Sequence, residues 1–255
     1  MTPRLSEIGN ALLPIGSPVG WPKLLALSQW MGLGPTSKVL DLGAGRGEVL
    51  LRLAKTYGCG GTTALERRAA FSALTATAIA EAGLAGLAGL EAVCADAGPW
   101  LQSMPPDSFD AILCLGSSGA LSGYRACLEQ LGHWLKPGGC LLIGEGYWQR
   151  EPDPDYLVAS GIPRNEMGSH ADNVSQARAL GWEYLLACTA SPDEWDDFEG
   201  RYHLSVRNFL QANPHDPDAA ALDAAITRWH DAYLRHGRET LGFGVYLLRK
   251  ATEAK

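Results

Sequence analysis

The residues whose types and spacing could do chemistry begin in Val39-Leu40-Asp41-Leu42-Gly43-Ala44-Gly45-Arg46-Gly47. An apolar run carrying one carboxylate ends in a loop with glycine at every second position. A helical pattern follows at Val49, Leu50, Leu53 and Ala54. Strand, glycine loop and helix together bring a ligand against bare backbone at a helix N-terminus. A Cβ at Gly43 or Gly45 would take the space a ligand needs, and such turns call for positive φ. The spacing is G-x-G-x-G. In the dinucleotide fingerprint G-x-G-x-x-G, the third glycine packs helix on strand and the helix end holds a pyrophosphate. A nucleotide site and a purely structural turn are the alternatives for this loop.

A second carboxylate, Glu66, closes the run Gly60–Glu66, 23 residues after Gly43. An acidic residue at about that distance meets a ribose in dinucleotide folds. A carboxylate accepts from two adjacent hydroxyls at once, and charge-assisted bonds are the stronger kind. The same charge disfavours a phosphorylated ribose. An exposed strand-end glutamate is the alternative.

The stretch Val39–Gly47 resembles the first motif of the Rossmann-like methyltransferases that use S-adenosylmethionine. In that family the loop lies against the methionine part of the cofactor and no phosphate is present. The resemblance implies S-adenosyl-L-methionine as cofactor, touched by Asp41, Gly43, Ala44, Gly45, Glu66, Arg67, Asp96, Ala97, Leu115 and Gly116. It gives both ribose hydroxyls to Glu66, the adenine amino group to Asp96 with Ala97 against the ring, and the methionine amino group, often through water, to Asp41. Asp96 as a cap for the next helix and Asp41 as a brace for the glycine amides are the structural alternatives.

The acceptor side is less determined. Leu115-Gly116-Ser117-Ser118 offers small residues, with Ser117 a substrate contact, or forms a simple turn. The Asn/Asp-Pro-Pro-aromatic motif of amino-methylating enzymes acting on DNA or protein glutamine is absent, and Pro105-Pro106 precedes the strand. Glu145-Gly146-Tyr147-Trp148, Trp195–Glu199 and Arg207–Pro214 are similar to a subgroup of bacterial small-molecule methyltransferases. That likeness runs over most of the chain from about residue 38 and weakens in 150–175. Aromatic faces stabilise a sulfonium or ammonium, so Trp148 and Trp195 are expected in the substrate wall; anchoring of helices is the plainer role for them and for Trp229. Methyl transfer is largely alignment and desolvation. A base is needed only for a protonated acceptor, and the candidates are Glu145, Tyr147, Tyr202 and His203, with His203 favoured by its intrinsic pKa. His170, Asp172 and Asn173 resemble a metal cluster, but Asp172 fits a helix N-cap better, and no metal is expected.

The elements that must position these groups alternate. Apolar runs at 38–42, 60–66, 92–96, 109–115 and 140–145 are separated by helical patterns at 67–81 and 119–133, with a Gly/Ala/Leu connector at 83–90 and a Lys136-Pro137-Gly138-Gly139 turn before the fifth run. This is the pattern of a doubly wound, mostly parallel α/β sheet. Ligands there sit beyond the carboxyl ends of the strands, so Asp41, Glu66, Asp96, Gly116 and Glu145 should face one crevice. Residues 146–172 read as an insertion of loop or short helix. A sixth strand at 182–189, helices at 192–212 and 216–237, and a last strand at 242–248 complete a single domain over residues 1–255. A helical N-terminal lid (1–34, with a helix over 22–31) and a helical cap (191–240) should cover the crevice.

Hydrophobic residues at 46% supply a sizeable core, and a net charge of −7 with scattered basic residues argues against nucleic acid as a partner. The N-terminus lacks a signal layout and no apolar run is long enough for a bilayer, so a cytoplasmic monomer or homodimer acting on a small molecule is expected. None of the six cysteines forms a Cys-x-x-Cys pair; Cys94, Cys114, Cys140 and Cys188 fall in strand runs and read as buried hydrophobes. The leading function is methyl transfer from S-adenosylmethionine to an N, O or C acceptor. The alternatives are internal cyclisation of the cofactor with release of methylthioadenosine, and a non-catalytic cofactor-binding protein. The loop spacing and the absence of a Tyr-x-x-x-Lys pattern disfavour a nicotinamide oxidoreductase.

Overall fold

A computed structural model describes residues 3–83 and 89–251; most of the expected 83–90 connector lies outside the described residues. The strands are β1 (Lys38–Leu42), β2 (Gly61–Glu66), β3 (Glu91–Cys94), β4 (Phe109–Leu115), β5 (Leu135–Trp148), β6 (Trp182–Thr189) and β7 (Leu241–Lys250). They form one seven-stranded sheet in the order β3-β2-β1-β4-β5-β7-β6. The first five run parallel, and β7 is antiparallel to both β5 and β6. Val39, Leu40 and Leu42 on β1 and Ala111 to Cys114 on β4 are fully buried, as expected for central strands covered on both faces.

The helices are α1 (Pro3–Gly9), α2 (Trp21–Ser28), α3 (Glu48–Tyr57), α4 (Ala69–Glu81), α5 (Ala97–Gln102), α6 (Tyr124–Leu131), α7 (Pro154–Ser160), α8 (His170–Ala179), α9 (Pro192–Ala212) and α10 (Ala219–Ala232). One core layer joins Leu24, Leu50, Leu53 and Leu113 on the face of α2 and α3. The other joins Leu40, Ile112, Leu128 and Tyr246 on the face of α6. A third cluster, with Leu5, Tyr202, Val206, Leu222 and Ile226, packs α1 against α9 and α10. α9 starts cleanly: Ser191 is its N-cap, Pro192 follows, and Glu194 closes a capping box (Glu194 N–H to Ser191 Oγ 3.2 Å, Ser191 N–H to Glu194 Oε2 2.8 Å).

Four expectations are corrected. β5 begins at Leu135, so Lys136–Gly139 lies inside a strand rather than in a turn before it. The sheet absorbs the segment through an irregularity opposite Phe109–Ala111, with Gly138 at φ +76°. β5 also continues past Glu145 to Trp148, because β7 pairs with it along that length (Trp148 opposite Leu241). The 119–133 helix is divided: a 3-10 turn at Ser118–Leu121 ends in Ser122 (φ +72°) and Gly123 (φ +107°) before α6 begins. Finally, Cys94 is exposed and Cys188 half-buried, because β3 and β6 are the two edges of the sheet. Asp172 lies at the third position of α8 in a capping box with Ser169, the N-cap. Among the described residues no helix is long and apolar enough to cross a membrane.

Candidate active site

The loop after β1 is held by backbone before any side chain contributes. Gly43 and Ala44 donate their N–H groups to Leu65 O on β2, at 2.9 and 3.1 Å. Gly43, Gly45 and Gly47 all take positive φ (74°, 58° and 72°), which glycine alone adopts freely. Their surroundings differ. A Cβ on Gly43 would lie 2.4 Å from Ser117 Cβ, and one on Gly47 2.4 Å from Thr75 Cγ2, whereas one on Gly45 meets nothing within 4 Å. The space spared at Gly43 is therefore filled by Ser117, whose hydroxyl donates to Leu42 O. The space at Gly45 is left open.

Glu66 is 4% exposed, so it is not a solvated strand end. Its Oε2 accepts from Gly45 N–H at 3.0 Å. Its Oε1 accepts from Arg68 N–H at 2.9 Å and pairs with Arg68 Nε at 3.2 Å. The Arg68 guanidinium lies 4.2 Å from the centre of the Phe71 ring. Asp41 is buried beside this group, and no described residue hydrogen-bonds its carboxylate. Burial first, then the neighbouring Glu66 charge, pushes its pKa up to about 7. Asp96 precedes α5 but makes no capping hydrogen bond, which leaves its exposed carboxylate uncommitted.

These groups share one cavity of about 960 Å³. All ten residues expected at the cofactor line it: Asp41, Gly43, Ala44, Gly45, Glu66, Arg67, Asp96, Ala97, Leu115 and Gly116. Ser117, Trp195 and Tyr202 line it as well. Residues 13–16, with Ser6 and Asn10, close one side. Phe198 and Glu199 of α9 and Trp229 of α10 close another. Contacts tying these covering parts to each other include Lys23 Nζ with Glu194 Oε2 at 2.5 Å, Gly20 N–H donating to Glu194 Oε1 at 3.1 Å, and Tyr202 OH donating to Leu5 O at 3.3 Å.

Four expected residues do not line the cavity. Alternation along β5 turns Glu145 and Tyr147 to the face of α6 and α8. There Glu145 Oε1 accepts from Gly146 N–H at 3.1 Å, and the Tyr147 ring meets His170 edge-on at 5.4 Å. Trp148 faces the other way but is seated behind α7, 6.3 Å from the Tyr156 ring, with Nε1 donating to Arg164 O at 3.0 Å. His203 stacks on His230 at 4.3 Å, on the outer join of α9 and α10.

Sequence reasoning missed Glu199. It is 4% exposed, and Oε2 accepts from Trp229 Nε1 at 2.7 Å. Burial pushes its pKa up to about 7, against the smaller opposing effect of that hydrogen bond. Trp195, Phe198, Glu199, Tyr202 and Val206 repeat at helical spacing, and that stripe was the available signal: it puts Glu199 in the middle of an apolar face.

Seven strands in this order, a glycine loop at the first strand and acids at the next two define a class I, Rossmann-like methyltransferase fold. Residues 39–139 match the family described as "Methyltransferase domain". The chain is 28% identical over 248 residues to the uncharacterised protein YjhP of Escherichia coli K12, covering 96% of this chain and 98% of that one. The crystal structure of YjhP superposes with a TM-score of 0.86. Two S-adenosyl-L-methionine-dependent methyltransferases crystallised with S-adenosyl-L-homocysteine superpose at 0.87. The one from Geobacter sulfurreducens is 29% identical and the one from Thiobacillus denitrificans 27%, each pairing 97% of this chain with 98% of the other. The chain is thus similar to both enzymes in fold over nearly its whole length, and its residues 39–139 carry the matched methyltransferase domain.

Proposed function

We propose that this protein transfers a methyl group from S-adenosylmethionine to a small-molecule acceptor held between the Gly45 loop and α9, with segments 1–34 and 191–240 as its lid and cap. The observation that carries this reading is the single cavity: strand-tip carboxylates and an open glycine on one side, the aromatic face of α9 on the other. Its volume suits a nucleoside-sized cofactor plus a modest acceptor.

The cofactor fits the residues present. The missing Cβ of Gly45 leaves open space, Asp41 holds a buried carboxylate suited to an ammonium group, and Asp96 is uncommitted. When bound, the cofactor supplies a methyl group already activated by a sulfonium. What remains for the chain is to exclude water and fix geometry. Glu66, braced by Gly45 and Arg68, presents a preorganised charge to a ribose. Tyr202, whose phenol burial pushes to about 12, acts as a donor rather than a base. Glu199 is able to take a proton near neutral pH on the acceptor side of the cavity, as Asp41 is on the cofactor side.

Calorimetry with S-adenosylhomocysteine, followed by mass spectrometry of S-adenosylmethionine turnover on a metabolite panel, tests the reading. Binding, with a methylated product and S-adenosylhomocysteine, is expected. Failure to bind, or methylthioadenosine as the product, overturns it.

A further inference from the structure

Glu199 is a carboxylate without a counter-charge. It lies in the cavity wall, 4% exposed, and its one hydrogen bond among the described residues comes from the neutral indole of Trp229. No described Lys, Arg or His pairs with it, although fourteen ion pairs are found elsewhere among the described residues, Arg68 with Glu66 among them. Burying an unpaired carboxylate is expensive unless a partner arrives. Around it the wall is aromatic: Trp195, Phe198, Tyr202 and Trp229 line the same cavity, with the Trp195 and Phe198 rings perpendicular at 6.0 Å. Aromatic faces joined to one carboxylate form the arrangement that holds an organic cation, through ring quadrupoles and a single opposite charge. An anionic acceptor would meet Glu199 and a cavity already lined by Asp41, Glu48, Glu66 and Asp96. The basic side chains there include Arg68, paired with Glu66, and Arg46, which donates to Ala11 O.

We infer that the acceptor subsite takes a small organic amine in its ammonium form, with Glu199 as counter-ion and the Trp195, Phe198, Tyr202 and Trp229 rings as the cage. This rests on the methyl-transfer reading and adds the substrate class to it. An uncharged acceptor that receives a hydrogen bond from protonated Glu199 is the competing occupant of the same wall.

The test is calorimetry on the full chain saturated with S-adenosylhomocysteine. The probes are choline and its uncharged carbon isostere, in which a tert-butyl group replaces the trimethylammonium group. Choline is expected to bind about tenfold or more tightly than the isostere, the size of a desolvated cation contact. Glu199→Gln keeps an acceptor for Trp229 and should erase that preference while leaving S-adenosylhomocysteine affinity unchanged. Equal binding of the two probes, no binding of choline, or a preference that survives Glu199→Gln overturns the inference and leaves the methyl-transfer reading standing. Failure to bind S-adenosylhomocysteine removes both.

Discussion

Gly45 donates its backbone N–H to Glu66 Oε2 at 3.0 Å, so the cofactor loop and the strand-end carboxylate form one unit. Glu66 therefore shapes the loop, and under the proposed function it also offers its charge to the ribose. On that reading, removing it leaves the Gly45 amide and the ribose hydroxyls without a partner. Glu66→Ala should weaken S-adenosylhomocysteine binding by about 1–3 kcal/mol. Glu66→Gln, which still accepts from Gly45, should recover part of that loss. Titration calorimetry on the three proteins checks this, and equal affinities would make Glu66 a bystander.

The glycines of the loop should separate by phenotype. At Gly43 a Cβ would press on Ser117 at 2.4 Å; at Gly45 it would enter open space. Both positions carry positive φ, costing an L-residue roughly 1–2 kcal/mol. Gly43→Ala should lower the thermal midpoint most, because the clash adds to the strain. Gly45→Val should keep most of its stability and lose cofactor binding. Thermal unfolding and calorimetry on both variants give the two readouts, and the reverse order would refute the assignment.

The strand–loop–helix unit was legible in the sequence because its determinants are local. Asp41, the glycines and Glu66 stand within one βαβ unit, and the α/β alternation gave the sheet. Edge position and strand length were not legible, since both depend on partners far along the chain. Lys136–Gly139 carries strong turn residues and bulges between the Leu135 and Cys140 pairings with β4, with Gly138 at φ +76°, while pairing with β7 from Cys140 to Trp148 carries the strand past Glu145. Glu199 was missed for the same reason. Its burial follows from α1 and α10 packing on α9, and residue type favoured His203, which falls to one side of the apolar face.

The stability of the cofactor-free protein should fall as pH rises toward neutral. Asp41 and Glu199 are pushed from 3.8 and 4.5 up to about 7 by burial. The folded state therefore holds protons that the unfolded chain has released. That contribution is complete below the unfolded values and is lost as pH climbs through about 7. His170 and His203, both lowered from 6.5 chiefly by burial, act in the opposite sense. The difference between wild type and the Asp41→Asn/Glu199→Gln double variant isolates the carboxyls. Urea midpoints should converge for the two proteins toward acid pH, if their unfolding slopes match, and separate as pH rises through the window from the unfolded values to about 7, with wild type falling, before running parallel above it. Profiles parallel throughout would mean that neither carboxyl holds its proton.

Residues turned away from the cavity should be silent in binding. His203 stacks on His230 outside it, and Glu145 is held on the α6 side of the sheet, its Oε2 buried without a hydrogen bond among the described residues. Burial raises the Glu145 pKa above the usual carboxylate range, so ionising it charges a site that solvates it poorly. Glu145→Gln removes that charge while keeping the shape, and should leave the thermal midpoint level or higher above neutral pH. His203→Ala should cost little, since the join of α9 and α10 is also held by Val206, Leu222 and Ile226. Both variants should bind S-adenosylhomocysteine within about twofold of wild type, which is under 0.5 kcal/mol. A tenfold loss from either would show that the groove between α9 and α10, or the far face of β5, communicates with the cofactor through the sheet.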